Sequence, residues 1–466
     1  MNRSVVAAIG GACAIAFTTG CTPVALPPLE SDVPGDWRGY GSESGAWPDR
    51  EWWRDFGSDE LIDLMERVEA RNLDLQTSDR KLRQAQIALT DAGLELFGVP
   101  RADLLANGSW SGTKIAGGDF VDGASESSAS ISVGASTVNL LNMPARHQSI
   151  VATYDSAVVA RASIRLSIRV AAAAAYFRVL LTRDRIDAAR RNLDRAEAIA
   201  RITQARVDAG VLTPIDGLQQ QIQVQHQHYA LAELRHEEFD ARTALAELLT
   251  ESGRGFTVEA TTLAALSIPR IAPGMPSALL VRRPDIVQAE LTLLHARANV
   301  AVARSALFPR ISLTGTASRS SDALRNLVST SSLSASVGLS VVQTVFDFGR
   351  RKRATESARL EMETTLANYR QTVIKAFNSI DVLLGRLDLL TSQEKLLQAQ
   401  LTNADESLRI AEARYREGVI EYLSLLTAQQ SLYSSRNALL GNKISHLNAL
   451  LSLYQALGGG WSSEAY

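Results

Sequence analysis

The sequence predicts a mostly α-helical chain with a small membrane β part, built from two structural repeats of one plan. Three observations predict it: long proline-free tracts with a seven-residue period, four segments alternating apolar with small polar residues, and paired motifs about 208 residues apart. The 466 residues are 46% apolar, 21% charged and 6% aromatic. With 48 basic residues against 50 acidic ones, no cationic excess is available to neutralise a phosphate backbone, which argues against a nucleic-acid binder. Two cysteines make no disulfide framework.

Residues 1–20 read as a signal peptide. Arg3 supplies a basic start, Val5 to Phe17 an uncharged apolar stretch of 13 residues, and Thr18-Thr19-Gly20-Cys21 a small-residue cleavage site. The stretch is too short to span a bilayer. The site resembles a bacterial lipoprotein processing site, with Thr18 standing where leucine is usual. Cys21 is then expected to carry the lipid and open the mature chain, and Thr22 after it, rather than aspartate, favours the outer membrane. Residues 21–58 form a lipid-anchored extended segment. No later run of 18 apolar residues exists, so any further bilayer crossing has to use strands.

Proline placement predicts the helices. All 13 prolines stand at or before Pro309, with none between Pro144 and Pro214. Because proline costs about 3 kcal/mol inside a helix, the tracts Ala145–Asp208 and Arg350–Glu417 are free to form single helices. At about 1.5 Å per residue each is roughly 100 Å long. Ile186, Leu193, Ala200 and Val207 interleave with Ala189, Ala196, Thr203 and Gly210 in the first. Leu390, Leu397, Ala404 and Ala411 interleave with Leu387, Leu401, Leu408 and Tyr415 in the second. This is the 3.5-residue repeat of left-handed supercoils; heptads alone fit a plain coiled-coil rod equally well.

The strands separate those readings. Ile311, Leu313, Gly315 and Ala317 alternate with Ser312, Thr314, Thr316 and Ser318. Leu333, Ala335, Val337, Leu339 and Val341 alternate with Ser334, Ser336, Gly338 and Ser340. Ala102, Leu104, Ala106, Gly108 and Trp110 share one face of an earlier segment, and Ala129, Ile131, Val133 and Ala135 one face of another. Each approaches the length of a tilted membrane strand, with Phe97, Phe308, Phe346 and Phe348 near the ends, where an aromatic girdle belongs. A soluble antiparallel sheet also alternates but rarely fills its polar face with serine and glycine. Four strands cannot close a barrel and open edges in lipid are costly, so other copies are required. Two would give a filled eight-stranded barrel, three a twelve-stranded one with a lumen.

The repeat orders the chain. Asn72-Leu73-Asp74 matches Arg283-Pro284-Asp285, Pro100-Arg101 matches Pro309-Arg310, Val138-Asn139-Leu140 matches Phe346-Asp347-Phe348, and Gly210-Val211 matches Gly418-Val419. Residues 59–250 form the first repeat, with a helix, a β-hairpin at about 101–141 and a long helical hairpin turning near Gly210. Residues 251–281, with Pro269, Pro273 and Pro276, form the linker. Residues 282–457 repeat the plan, with the β-hairpin at about 309–348 and the turn near Gly418, and 458–466 form a tail.

These residues carry a resemblance to the TolC-like outer-membrane efflux factors, specifically the NodT-type lipoprotein branch. The matching stretches are Trp52-Trp53-Arg54-Asp55-Phe56, Asn72-Leu73-Asp74-Leu75, Arg282-Arg283-Pro284-Asp285-Ile286, Phe346-Asp347-Phe348-Gly349-Arg350 and Ala456-Leu457-Gly458-Gly459-Gly460-Trp461. The resemblance implies a homotrimer whose twelve-stranded barrel, four strands per chain, continues into a periplasmic α-helical barrel. It implies a passive exit duct for drugs or other small amphiphiles, joined by a periplasmic adaptor to an inner-membrane transporter of the resistance-nodulation-division type. It also places a closed gate at the tips around Gly210 and Gly418, with acidic residues beyond the glycines. Asp216 fills that place in the first repeat, whereas the second has Ser424, with Glu421 nearer the turn. Arg206 and Arg414 precede the two glycines at matched positions and suit bonds to helix-end carbonyls or ion pairs between tips.

No catalytic constellation is evident, and no cofactor beyond the lipid is expected. Histidines 147, 226, 228, 236, 295 and 446 make no metal-ligand spacing, and Gly108-Ser109-Trp110-Ser111-Gly112 has tryptophan where a nucleophile elbow needs serine. The chain is therefore read as a channel rather than an enzyme. A type I protein-secretion channel and a non-conducting coiled-coil lipoprotein are the alternatives.

Overall fold

The computed structural model describes residues 37, 47–97, 101–113, 121–136, 139–269, 276–321 and 333–461. The signal peptide, Cys21, Pro100, Val138, Pro273 and the last tail residues lie outside them. The elements are α1 (Asp59–Arg71), α2 (Leu73–Phe97), β1 (Arg101–Thr113), β2 (Val121–Ser136), α3 (Met143–Asp208), α4 (Pro214–Leu248), α5 (Leu279–Arg282), α6 (Pro284–Ser305), β3 (Arg310–Ser321), β4 (Leu333–Val342), α7 (Arg350–Glu417) and α8 (Tyr422–Ala456).

Both proline-free tracts are single helices, of 66 residues in α3 and 68 in α7. The second has the bounds that the sequence predicts. The first begins two residues early because Pro144 sits in its first turn, where a missing N–H breaks no hydrogen bond. These two helices form the frame. On the sheet side the packing order is α2, α3, α6, α7; toward the tips it is α4, α3, α8, α7.

The four strands form one antiparallel sheet in sequence order, with β2 against β3 joining the two repeats. β2 reaches back to Val121, eight residues before the predicted alternation, because pairing with β1 carries the register from Arg101↔Gly134 to Thr113↔Val121. β1 and β4 remain open edges. On β4, Val337, Leu339 and Val341 are 82%, 67% and 60% exposed. The serine and threonine positions pair across the strands through hydroxyls, Thr316 with Ser336 at 2.7 Å and Ser318 with Ser334 at 3.0 Å.

The apolar core lies midway, where helices change partners. Trp52 is fully buried and stacks on Tyr454 with centroids 4.8 Å apart, so the start of the described chain packs on its last helix. The motif residues form matched joints. Asn72 donates through Nδ2 to the carbonyl of Leu248 at 2.9 Å, and Arg283 donates to the carbonyl of Ala456 at 3.2 Å. Each fixes the start of a sheet-side helix to the end of a tip-side helix, making one broken column per repeat. The linker is strapped down by Glu60, which accepts from the Ala260 amide at 3.0 Å, and by Arg183, which donates to the carbonyls of Val258 and Ala260 at 2.7 and 2.6 Å. Gly458, Gly459 and Gly460 all have positive φ, at 88°, 54° and 75°. A Cβ there would collide with the Arg282 carbonyl, Leu166 and the Asp49–Arg50 backbone respectively, which explains the triple glycine.

Candidate functional site at the helical tips

Two matched turns close the helical hairpins. Gly210 at φ 70° and Gly418 at φ 79° cap α3 and α7. In each, the glycine amide bonds three residues back, Gly210 to Val207 at 2.9 Å and Gly418 to Tyr415 at 3.0 Å. The following valine then reaches the arginine carbonyl, Val211 to Arg206 at 2.8 Å and Val419 to Arg414 at 2.9 Å. This double closure satisfies carbonyls that a helix end otherwise leaves free, and it needs the left-handed conformation glycine adopts without strain.

The side chains then differ between the repeats. Arg206 crosses to the second tip, where Nη2 donates to the carbonyl of Arg416 at 2.8 Å and the guanidinium lies 5.0 Å over the Tyr415 ring. Beneath it the Tyr415 and Thr203 hydroxyls bond at 2.9 Å, with Tyr415 2% exposed and Thr203 fully buried. Tyr422 packs against Tyr415 at 6.4 Å between centroids. Burial pushes the Tyr422 phenol up to about 12, with the nearby Tyr415 and the Asp216 carboxylate adding to the shift.

Asp216 closes a capping box at the start of α4: its carboxylate accepts from the Thr213 amide at 2.9 Å and the Thr213 hydroxyl at 2.7 Å. Glu421 stands at the equivalent of Thr213, as the N-cap of α8; its side chain makes no capping bond and is exposed. Arg414 is exposed and, among the described residues, its guanidinium makes no hydrogen bond or ion pair. The structure thus joins Arg206 to the opposite tip and sets Asp216 near Tyr422, while the Glu421 and Arg414 side chains are exposed and take no part in these contacts. The heptads place Thr203 and Tyr415 on packing seams; the hydroxyl bond between them, across 212 residues, has no local signal. Among the described residues no cluster of three or more metal-ligating side chains occurs, and no helix is long and apolar enough to cross a membrane.

Strands of membrane length and alternation, continued by long helical hairpins that end in paired glycine turns, define an outer-membrane channel subunit. Comparisons with known proteins agree. The pyoverdine export outer membrane protein OpmQ of Pseudomonas aeruginosa is 31% identical over 467 residues, covering 97% of this chain and 96% of its own length. The toluene efflux pump outer membrane protein TtgC of Pseudomonas putida is 28% identical over 88% of this chain and 86% of its own. The crystal structure of the CmeC outer membrane channel of Campylobacter jejuni shares the fold, with a TM-score of 0.84 at 21% identity over 94% of this chain and 95% of that one. Residues 64–251 and 275–459 match the profile of the outer membrane efflux protein family, and the chain belongs to that family. It is an efflux channel component of the outer membrane.

Proposed function

We propose that three copies form the duct of a tripartite efflux pump. Their sheets would close one twelve-stranded barrel, and their hairpins one periplasmic tunnel, closed at rest by the tips. The open edges carry this reading. On one side the chain presents β1, α2 and α4, with Ile87 and Leu94 54% and 52% exposed and Ile215, Ile222 and Tyr229 64%, 64% and 69% exposed. On the other it presents β4 and α7, with Val382, Leu389 and Leu396 70%, 46% and 72% exposed. Within each of the three stripes the residues are seven apart, the spacing of a helix seam. Each edge complements the other rather than itself, so copies join head to tail into a ring. Three is the smallest number that leaves a lumen between the strands.

The repeat supplies the contacts. Arg206 reaching Arg416 within the chain becomes, shifted by the offset, Arg414 reaching Asp208 of the neighbouring copy. Six crossings would then lace the tips shut, with the Asp216 carboxylates and, nearer the turns, Glu421 lining the aperture and favouring cations. Energy would come from an inner-membrane transporter of the resistance-nodulation-division type through a periplasmic adaptor. The relatives named for pyoverdine export and toluene efflux support small solutes, drugs among them, over secreted proteins. A lipid on Cys21 would tether each chain.

Oligomer mass with single-channel conductance in planar bilayers tests this. A trimer with small, rare openings is expected. Asp216→Asn preserves an acceptor for the Thr213 cap, so it should lower cation preference without loss of stability. A monomer that never conducts would overturn the duct, and unchanged selectivity would remove Asp216 from the aperture.

A further inference from the structure

We propose that the junction between the sheet and α7 is a binding surface for the headgroup of an anionic phospholipid of the periplasmic leaflet, held by Arg350, Lys352 and Arg353. The inference rests on the sheet being the membrane-spanning part. Along the chain, the exposed Val337, Leu339 and Val341 of β4 give way to Phe346 and Phe348, 73% and 80% exposed with centroids 4.5 Å apart, and then to four consecutive cations. Apolar strand, aromatic pair and cations follow the order in which a leaflet presents acyl chain, interface and phosphate.

Helix chemistry does not account for the cations. Positive charge at a helix start opposes the macrodipole, and the first turn of α7 holds no acidic residue. Asp347 is the one carboxylate between Leu333 and Thr355, and it is already engaged by the Gly349 amide at 3.0 Å, the Arg351 amide at 3.1 Å and Arg351 Nε at 2.7 Å. Arg351 also donates to the Ala306 carbonyl at 3.1 Å, so its role is structural. Arg353 donates to the Phe348 carbonyl at 2.8 Å, which draws its guanidinium back to the level of the aromatic pair. The side chains of Arg350 and Lys352 are exposed and make no hydrogen bond or ion pair among the described residues; the Arg350 amide donates to the Asp347 carbonyl at 3.0 Å. The repeat provides an internal control. The equivalents of residues 350 to 353 are Asn142, Met143, Pro144 and Ala145, none of them charged, so entering a long helix from this sheet does not require cations.

Native mass spectrometry of the full-length protein in detergent tests the surface. The protein is titrated with phosphatidylglycerol or phosphatidylethanolamine of the same acyl chains. The wild type should retain phosphatidylglycerol preferentially. At about fivefold per cation, Arg350→Gln/Lys352→Gln/Arg353→Gln should weaken that retention roughly 100-fold, while Arg350→Lys/Arg353→Lys keeps most of it. No preference in the wild type, full retention in the triple variant, or displacement by millimolar inorganic phosphate would each overturn the proposal. So would dissociation of the triple variant into monomers, which would assign the cations to the subunit interface. A wild type that retains neither lipid and does not insert into liposomes would instead remove the membrane reading of the sheet.

Discussion

Tyr415→Phe removes a hydroxyl that is the partner of a fully buried group, and its consequences can be worked through. The bond to Thr203 is 2.9 Å long, and among the described residues the Thr203 hydroxyl has no other hydrogen bond. Leaving that hydroxyl buried and unpaired costs about 1–3 kcal/mol, and Thr203→Val strands the Tyr415 hydroxyl at similar cost. Replacing both by apolar groups of similar shape is close to neutral, so the double variant should be more stable than either single one. The bond ties α7, about one turn before Gly418, to α3, about two turns before Gly210. If opening parts the two helices, even about 1 kcal/mol in each chain of the proposed trimer favours a concerted opening by roughly 150-fold. Thermal unfolding gives the stability cycle, and single-channel open probability gives the gate. Both single variants and the double should open more often than wild type, and the double no more than the singles. Additive destabilisation in the double variant, or wild-type open probability in Tyr415→Phe, would refute the reasoning.

Glycine substitutions should separate strain from collision. Gly210→Ala meets open space and pays only for a left-handed alanine, about 1–2 kcal/mol, whereas Gly458→Ala strikes the Arg282 carbonyl and should cost more than about 4 kcal/mol, read as melting temperature and yield of folded protein. His446 gives a pH dependence. Burial lowers its pKa from the ordinary 6.5, outweighing Glu394 at 3.9 Å. Below that value the unfolded chain takes up the proton first, so the stability present above it is lost as pH falls toward the folded value. The acid-side slope of melting temperature should therefore flatten in His446→Gln, and an unchanged slope would assign it to other groups.

The long helices were legible because helix is a local matter: proline exclusion and a seven-residue period act within a few turns, and α7 has the bounds those signals give. The strands were legible where one face is apolar. They failed at Val121–Ser128, where Asp122, Glu126 and several serines break the alternation and pairing with β1 alone sets the strand. At the tips the glycines were legible for the same local reason, since a helix stop followed by valine is a short-range pattern. The cross-links were not, because Arg206 to Arg416 and Thr203 to Tyr415 span more than 200 residues. Asp216 carried a signal that the gate reading passed over. Threonine followed three residues later by an acid at a helix start is a capping box, so its carboxylate has a structural duty whatever it does in an aperture.

The repeat gives a way to tell these duties apart. Where both halves solve one problem with equivalent residues, as Asn72 and Arg283 do at the column joints or Gly210 and Gly418 at the turns, the shared plan requires them. Where the halves differ at equivalent places, the plan does not require the residue. Tyr415 stands where the first repeat has Val207, Thr213 and Asp216 stand where the second has Glu421 and Ser424, and four cations stand where the first has none. Two of these departures lie at the tips and one at the membrane junction. The first joins the two hairpins through Thr203, the second caps one helix start, and the third is where the proposed lipid contact lies. The proposed ring of three chains would alternate these unlike halves six times, so the departures would give it seams of two kinds. Opening would then begin at the seams between chains, where the Arg414 guanidinium makes no hydrogen bond or ion pair among the described residues, and would part the Thr203–Tyr415 seams within each chain afterwards. Charge reversal at Arg414 should raise open probability without touching the stability cycle at Thr203 and Tyr415; a change in both would mean that the two kinds of seam move as one.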